Sequence, residues 1–131
     1  MIAIDASAIC AIAFNESERD GFLAALKSAD GALVSPVNRW EATVSIQTQR
    51  PDVLAERVVH DILTRAGVEV AEIGASEAGL AFEAWRNFGK GRHPARLNLG
   101  DCFAYALAMS RGLPLLYKGD DFTKTDVRSA L

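Results

Sequence analysis

The sequence predicts an α/β fold: a short, mostly parallel β-sheet with helices on both faces. Three observations lead there. Short β-prone runs ("MIAI", "ALV", "VEVAEI", "LLY") alternate along the chain with longer segments of helical periodicity. Turn and capping residues separate the two kinds of run at most junctions. With 131 residues, half of them hydrophobic, the chain has enough apolar material for one compact core and too little length for two.

Each element has a local reason. "MIAI" runs into Asp5, and the "ASAICAIAF" that follows is small and apolar, as suits a helix packed closely on a sheet. Asn15 and Glu18 have the spacing of a capping box for a second helix, with Phe22, Leu26 and Ala29 on one face and Asp30-Gly31 as its breaker. After "ALV", Ser35 and Pro36 supply an N-cap and a first-turn proline for a helix through about Gln49. Pro51 is expected to open the next helix, whose buried face would be Leu54, Val58, Ile62 and Ala66 and whose stop is Gly67. "VEVAEI" alternates like a half-buried strand. Ser76 is expected to cap a helix burying Ala78, Phe82, Trp85 and Phe88, which runs out into the poor helix formers of "GKGRHPARLNLG". The apolar helix of "GDCFAYALA" follows, headed by Asp101, and beyond Gly112-Leu113-Pro114 comes the last strand.

Charge and cysteine content remove several function classes. A net charge of −3, from 14 basic and 17 acidic residues, argues against binding nucleic acid by a bulk positive field, while leaving room for a local basic rim. The opening "MIAIDASAICAIAF" lacks a basic leader and carries Asp5 among its apolar residues, so neither a signal peptide nor a membrane span is expected. A cytoplasmic protein with no membrane partner is the expectation. Cys10 and Cys102 lack zinc-site spacing and are expected to be reduced, buried hydrophobes.

The acids carry the chemistry. In an open parallel sheet, ligands gather beyond the carboxyl ends of the strands. Asp5 follows the first strand, Asp120 and Asp121 follow the last through "KGDD", and Asp101 heads the helix that leads into that last strand. Glu41 shares a helical stripe with Val37 and Val44, which is expected to aim its carboxylate inward. Taken singly, each acid has an ordinary explanation: Asp101 as an N-cap, Asp5 as a turn former, Glu41 in an ion pair, Asp120-Asp121 as a polar turn. Gathered at one sheet edge they would repel and raise one another's pKa, which a divalent cation relieves. All-oxygen donors, with His60 and His93 unpaired as ligands, suit Mg²⁺ or Mn²⁺ rather than zinc. Metal-assisted phosphodiester hydrolysis is the chemistry such a site supports.

These motifs resemble the PIN-domain ribonucleases, specifically the VapC-type toxins of type II toxin–antitoxin pairs. The resemblance spans nearly the whole chain as a single PIN domain, 1–131. It rests on "IDASA", on Glu41 within "WEATVSI", and on the longer "GKGRHPARLNLGDCFAYALA" and "LPLLYKGDDFTKTD". It implies a PIN-like three-layer sandwich and an acidic site of Asp5, Glu41, Asp101 and Asp121 that binds Mg²⁺ and activates water against RNA. Asp121 matches the family's fourth acid better than Asp120, and Asp120, Thr125 and Asp126 would support the site from behind. A homodimer is implied, as is a cognate antitoxin that covers the site in a heterotetramer or larger assembly. Lys90, Arg92, His93 and Arg96, just before Asp101, are candidate contacts to RNA phosphates and equally a solvated basic loop.

Two other readings stand beside this one. A phosphoacceptor signalling domain of the receiver type is also a small α/β protein, with acids at strand ends and a lysine after the last strand, as Lys118 is here. It needs an acceptor aspartate after a middle strand, where "VEVAEIGAS" offers only Glu72, and it gives Glu41 no part. A non-catalytic metal-binding PIN module would keep the acids without turnover. Phosphotransfer from a small phosphodonor marks the first; metal binding with no RNA cleavage marks the second.

Overall fold

A computed structural model describes residues 1–131. The elements are β1 (Ile2–Ile4), α1 (Ala6–Ala13), α2 (Arg19–Ser28), β2 (Ala32–Val34), α3 (Pro36–Gln49), α4 (Ala55–Ala66), β3 (Val68–Val70), α5 (Ala75–Phe88), α6 (Leu99–Arg111) and β4 (Leu115–Leu116), then a 3₁₀ turn over Asp121–Lys124. All pairings among the four strands are parallel, in the order β3-β2-β1-β4. The α/β expectation holds.

The pleat of the central strands divides the core into layers. Ile2 and Ile4 of β1 and Leu116 of β4 enter one apolar cluster with α1, α2, α3 and α4, while Ala3 and Leu115 enter the other with α5 and α6. One sheet is thus buried on both faces, a three-layer sandwich. Small residues set the spacing, since Ala8 and Ala11 of α1 and Ala104, Ala106 and Ala108 of α6 are essentially inaccessible. After the 3₁₀ turn the tail returns to β4, where Leu115 N–H donates to Arg128 O and Ala130 N–H to Leu115 O.

Chain order reverses between β1 and β4, because β1 leads outward to β2 and β3 on one side and β4 arrives on the other. The crevice beyond their carboxyl ends is the topological switch point of such a sheet. Asp5 is the first residue past β1 and stands at that crevice. No helix is long and apolar enough to cross a membrane.

Several local expectations shift. Asn15 takes a left-handed φ of 54° and caps nothing; α2 begins after Glu18, which makes no side-chain capping bond. Pro51 lies in the turn before α4, which starts after Leu54, and Leu54 is 74% exposed while Ala55, Val59 and Leu63 form the buried face. The N-cap of α5 is Gly74 and not Ser76, with Glu77 folded back so that its Oε2 accepts from Gly74 N–H at 2.9 Å. The buried face of α5 is Glu77, Ala81 and Ala84, leaving Phe82 and Trp85 56% and 41% exposed. On α5 the small residues Ala81 and Ala84 take the close contacts, and the large Phe82 and Trp85 lie outward. Cys10 and Cys102 are free, as expected, with Cys102 buried and Cys10 half-buried.

Candidate active site

Asp5 is 3% exposed and caps α1, its Oδ2 accepting from Ser7 N–H at 3.0 Å. Its other oxygen, Oδ1, accepts from Asn38 Nδ2 at 3.3 Å. Burial pushes this carboxyl above its ordinary range, the bonds from Ser7 and Ala6 offset part of that, and the charge of Asp121 adds to the rise.

Asn38 organises the opposite wall and was not anticipated from sequence. It is fully buried, and its Oδ1 accepts from the equally buried Ser35 hydroxyl at 2.5 Å. Its amide nitrogen faces Gly100 O at 2.9 Å, Asp5 Oδ1 at 3.3 Å and Glu41 Oε1 at 3.5 Å. An amide has two N–H bonds, so three acceptors share two hydrogens and Glu41 has the weakest hold. The signal was present as spacing, for Asn38 precedes Glu41 by three residues on one helix face.

Glu41 reaches the crevice, but not along the expected stripe. Asn38, Ala42 and Ile46 form the buried face of α3 and Val44 is exposed, which leaves Glu41 half-buried at the boundary. Desolvation raises its pKa, the Asp5 charge raises it further, and the bond from Asn38 lowers it. Its carboxylate rests against Gly100, where a Cβ would overlap both oxygens. Glycine at the first turn of α6 is therefore the condition for Glu41 to approach that helix.

Asp101 is the third helical residue of α6, and the cap is Asn98. The two residues form a reciprocal capping box: Asp101 N–H donates to Asn98 Oδ1 at 2.9 Å, and Asn98 N–H donates to Asp101 Oδ2 at 3.1 Å. Capping thus occupies one carboxylate oxygen of Asp101. Its pKa is pushed up to about 7, by burial first, then by Asp5, and also by Glu41 and Asp121, against the bond from Asn98. Four acids from four segments therefore share one field.

Asp121 opens the 3₁₀ turn and is exposed, yet its charge reaches both Asp5 and Asp101. Asp120 is exposed, and its carbonyl accepts from Thr123 N–H at 3.1 Å. Thr125 and Asp126 bond away from the acids: Thr125 Oγ1 donates to Phe122 O at 2.7 Å, and Asp126 Oδ1 accepts from the Tyr105 hydroxyl at 2.6 Å. That last bond ties the C-terminal tail to α6.

Asp5, Glu41 and Asp101 line one open cleft of about 480 Å³, together with Ser7, Glu16 and Lys118. Of these, Ser7 had no place in the sequence reading, and Lys118 had one only in the receiver-type alternative. No three acidic, histidine or cysteine side chains form a ready-made cation cage. The donors are nonetheless all oxygen and mutually repelling, which fits Mg²⁺, an ion that keeps several waters and takes only one or two carboxylates directly. Of the basic loop, Lys90 and Arg96 are exposed, and Arg92 stacks its guanidinium 4.7 Å from the Trp85 ring centre. His93 Nδ1 accepts from Ala95 N–H at 3.0 Å, with its ring edge-on to Phe88.

Comparison with known proteins decides the family. The PIN domain family model matches residues 2–128. Ribonuclease VapC42 of Mycobacterium tuberculosis is 42% identical over 129 residues, covering 97% of each chain. This chain belongs to the PIN-domain family, and within it to the VapC proteins. Ribonuclease VapC28 of Mycobacterium tuberculosis is 39% identical over 98% of this chain and 96% of its own. Among solved structures, VapC20 of Mycobacterium tuberculosis, a sarcin-ricin loop cleaving toxin, shares the fold with a TM-score of 0.73 at 18% identity, covering 98% and 99% of the two chains. A toxin–antitoxin complex from Klebsiella pneumoniae matches with a TM-score of 0.69 at 17% identity, over 96% and 93%. Membership in the VapC family removes the receiver-type reading, and the sheet agrees: β3 is an edge strand and Glu72 beyond it is exposed.

Proposed function

We propose that this VapC protein is the toxin of a type II toxin–antitoxin pair and acts as a Mg²⁺-dependent endoribonuclease, with Asp5, Glu41, Asp101 and Asp121 as its catalytic and metal-binding acids. The observation that carries the reading is the position of Asp101: a half-buried carboxylate whose pKa is held at about 7 by burial and by three acids from other segments. Such repulsion costs stability without benefit unless a cation occupies the crevice. The ribonuclease names of its full-length relatives agree with that chemistry.

Mg²⁺, or Mn²⁺ in its place, would neutralise the scissile phosphate and supply an activated water. The chain's own groups do the rest. Asp5 is the most rigid donor, since Ser7 and Asn38 fix both of its oxygens. Asp101 keeps Oδ1 free of the capping bond, so that oxygen is available to hold the cation or to orient an attacking water. Glu41, loosely held by Asn38, can shift toward the cation, and Asp121, on the turn beyond β4 and outside the cleft lining, acts on the site through its charge. Asp121 fits the fourth position better than Asp120, because its charge is felt by both Asp5 and Asp101.

Lys90 and Arg96 are free to meet flanking RNA phosphates, whereas Arg92 and His93 already hold Trp85 and Ala95. A cognate antitoxin covering the site is the expected protein partner, supported by the fold shared with a toxin–antitoxin complex. The exposed Phe82, Trp85 and Leu99 suit a homodimer contact, within a heterotetramer or larger assembly with antitoxin. We place this chemistry in the cytoplasm, where RNA and Mg²⁺ are both abundant. The test is incubation of the purified protein with total tRNA and ribosomal RNA. Cleavage with Mg²⁺ that stops on chelation is expected; metal binding with every RNA left intact would make the protein a non-catalytic PIN module.

A further inference from the structure

Lys118 is the only cationic side chain lining the acidic cleft. Its backbone N–H donates to Ser7 Oγ at 3.0 Å, and Ser7 N–H in turn donates to Asp5 Oδ2 at 3.0 Å. The base of the lysine is thereby pinned beside the deepest acid. Its ammonium is held by Glu16 Oε2 at 2.5 Å and by Glu18 Oε2 at 3.4 Å, with the side chain about one third exposed. Two carboxylates share one ammonium, Glu16 in a close hydrogen bond and Glu18 at the longer distance, where the ion contact lacks hydrogen-bond geometry. The second carboxylate keeps the ammonium at the cleft while leaving one of its two contacts weak.

We propose that Lys118 is a phosphate-binding residue of the RNA cleft, docked on Glu16 and Glu18 in the free protein and transferred to a phosphate flanking the scissile bond when RNA enters. The inference rests on the ribonuclease reading and adds a residue to it. Cations at Asp5, Glu41 and Asp101 would neutralise the scissile phosphate, but its neighbours must still pass a wall carrying Glu16. A fixed cation at that wall answers the repulsion. Lysine suits the exchange, being a compact charge on a flexible stem, and partly exposed ion pairs exchange partners at little cost. Glu16 and Glu18 hold the charge at the cleft until RNA arrives, and they compete with RNA for it.

The test measures binding of a single-stranded RNA oligonucleotide of mixed sequence by the Asp101→Asn protein with Mg²⁺ present, over a series of salt concentrations. Lys118→Met should weaken binding by about threefold to tenfold and lower the slope of log affinity against log salt by about 0.7, as expected for one lost phosphate contact on a single strand. Lys118→Arg should restore most of both. Glu16→Gln with Glu18→Gln should tighten binding, and it serves as the deciding variant should Lys118→Met fail to fold. An unchanged slope in Lys118→Met, or unchanged affinity in the double glutamine variant, overturns the role of Lys118 and leaves the ribonuclease reading standing. That reading fails separately, if the unsubstituted protein cleaves no RNA.

Discussion

Asn38 and Asp5 are in direct buried contact, the amide nitrogen of one 3.3 Å from Oδ1 of the other, both almost wholly inaccessible to solvent. Their contact joins the first turn of α3 to the end of β1, and the same amide reaches Gly100 O on α6. Three segments are thus registered by one neutral side chain. Neutrality matters, since Asn38 donates to the carboxylates without cancelling the charge that a cation would answer.

Asn38→Ala should therefore destabilise the protein by about 1–3 kcal/mol, because Ser35 and Gly100 O lose a buried partner. Urea unfolding measures this. Asn38→Asp should be worse in chelator and recover in part with Mg²⁺, because it places another carboxylate against Asp5 and Glu41. Equal loss with and without Mg²⁺ would contradict the account.

Gly100→Ala should be costly although alanine favours helices. The new Cβ overlaps the Glu41 carboxylate, so either that side chain or the start of α6 must move. A loss of about 1–3 kcal/mol is expected, together with at least a tenfold fall in cleavage. Gly100→Ala combined with Glu41→Ala should regain the stability and not the activity.

Stability should depend on pH in a direction set by Asp101. Its carboxyl titrates near 7 when folded and near 3.8 when unfolded, so between those values the folded state holds the extra proton. Without metal, stability should rise as pH falls from about 8 toward 5, by on the order of 1–3 kcal/mol after solvent screening. The raised pKa values of Asp5 and Glu41 act in the same sense. Saturating Mg²⁺ should raise stability most at high pH and flatten the dependence. Thermal unfolding in chelator across that range would contradict this by falling as the solution is acidified.

Much of this was legible in the sequence, for reasons that differ by residue. The alternation of runs fixes the α/β class, and the position of Asp5 after a strand and Asp121 after another places both at one edge. Asp101 was readable as an acid at a helix head but not as the third residue of a capping box, because Asn98 and Asp101 are both good caps and only backbone geometry chooses between them. Glu41 was found through a stripe that the fold does not bury, since the true face of α3 is built on Asn38, Ala42 and Ile46. Asn38 itself escaped notice as a polar residue in a helix start, where asparagine is unremarkable. Phe82 and Trp85 read as core by spacing alone, and spacing cannot tell which side of α5 meets the sheet.

The central claim is that four acids form one hydrolytic site. The most direct measurement is RNA cleavage by Asp101→Asn beside its unfolding free energy, in Mg²⁺ and in chelator. Asparagine keeps the capping bond to Asn98 and removes one charge from the cluster. The account predicts cleavage reduced by at least about a hundredfold, with metal-free stability at neutral pH unchanged or higher. Undiminished cleavage, or a protein markedly less stable in chelator, would contradict it.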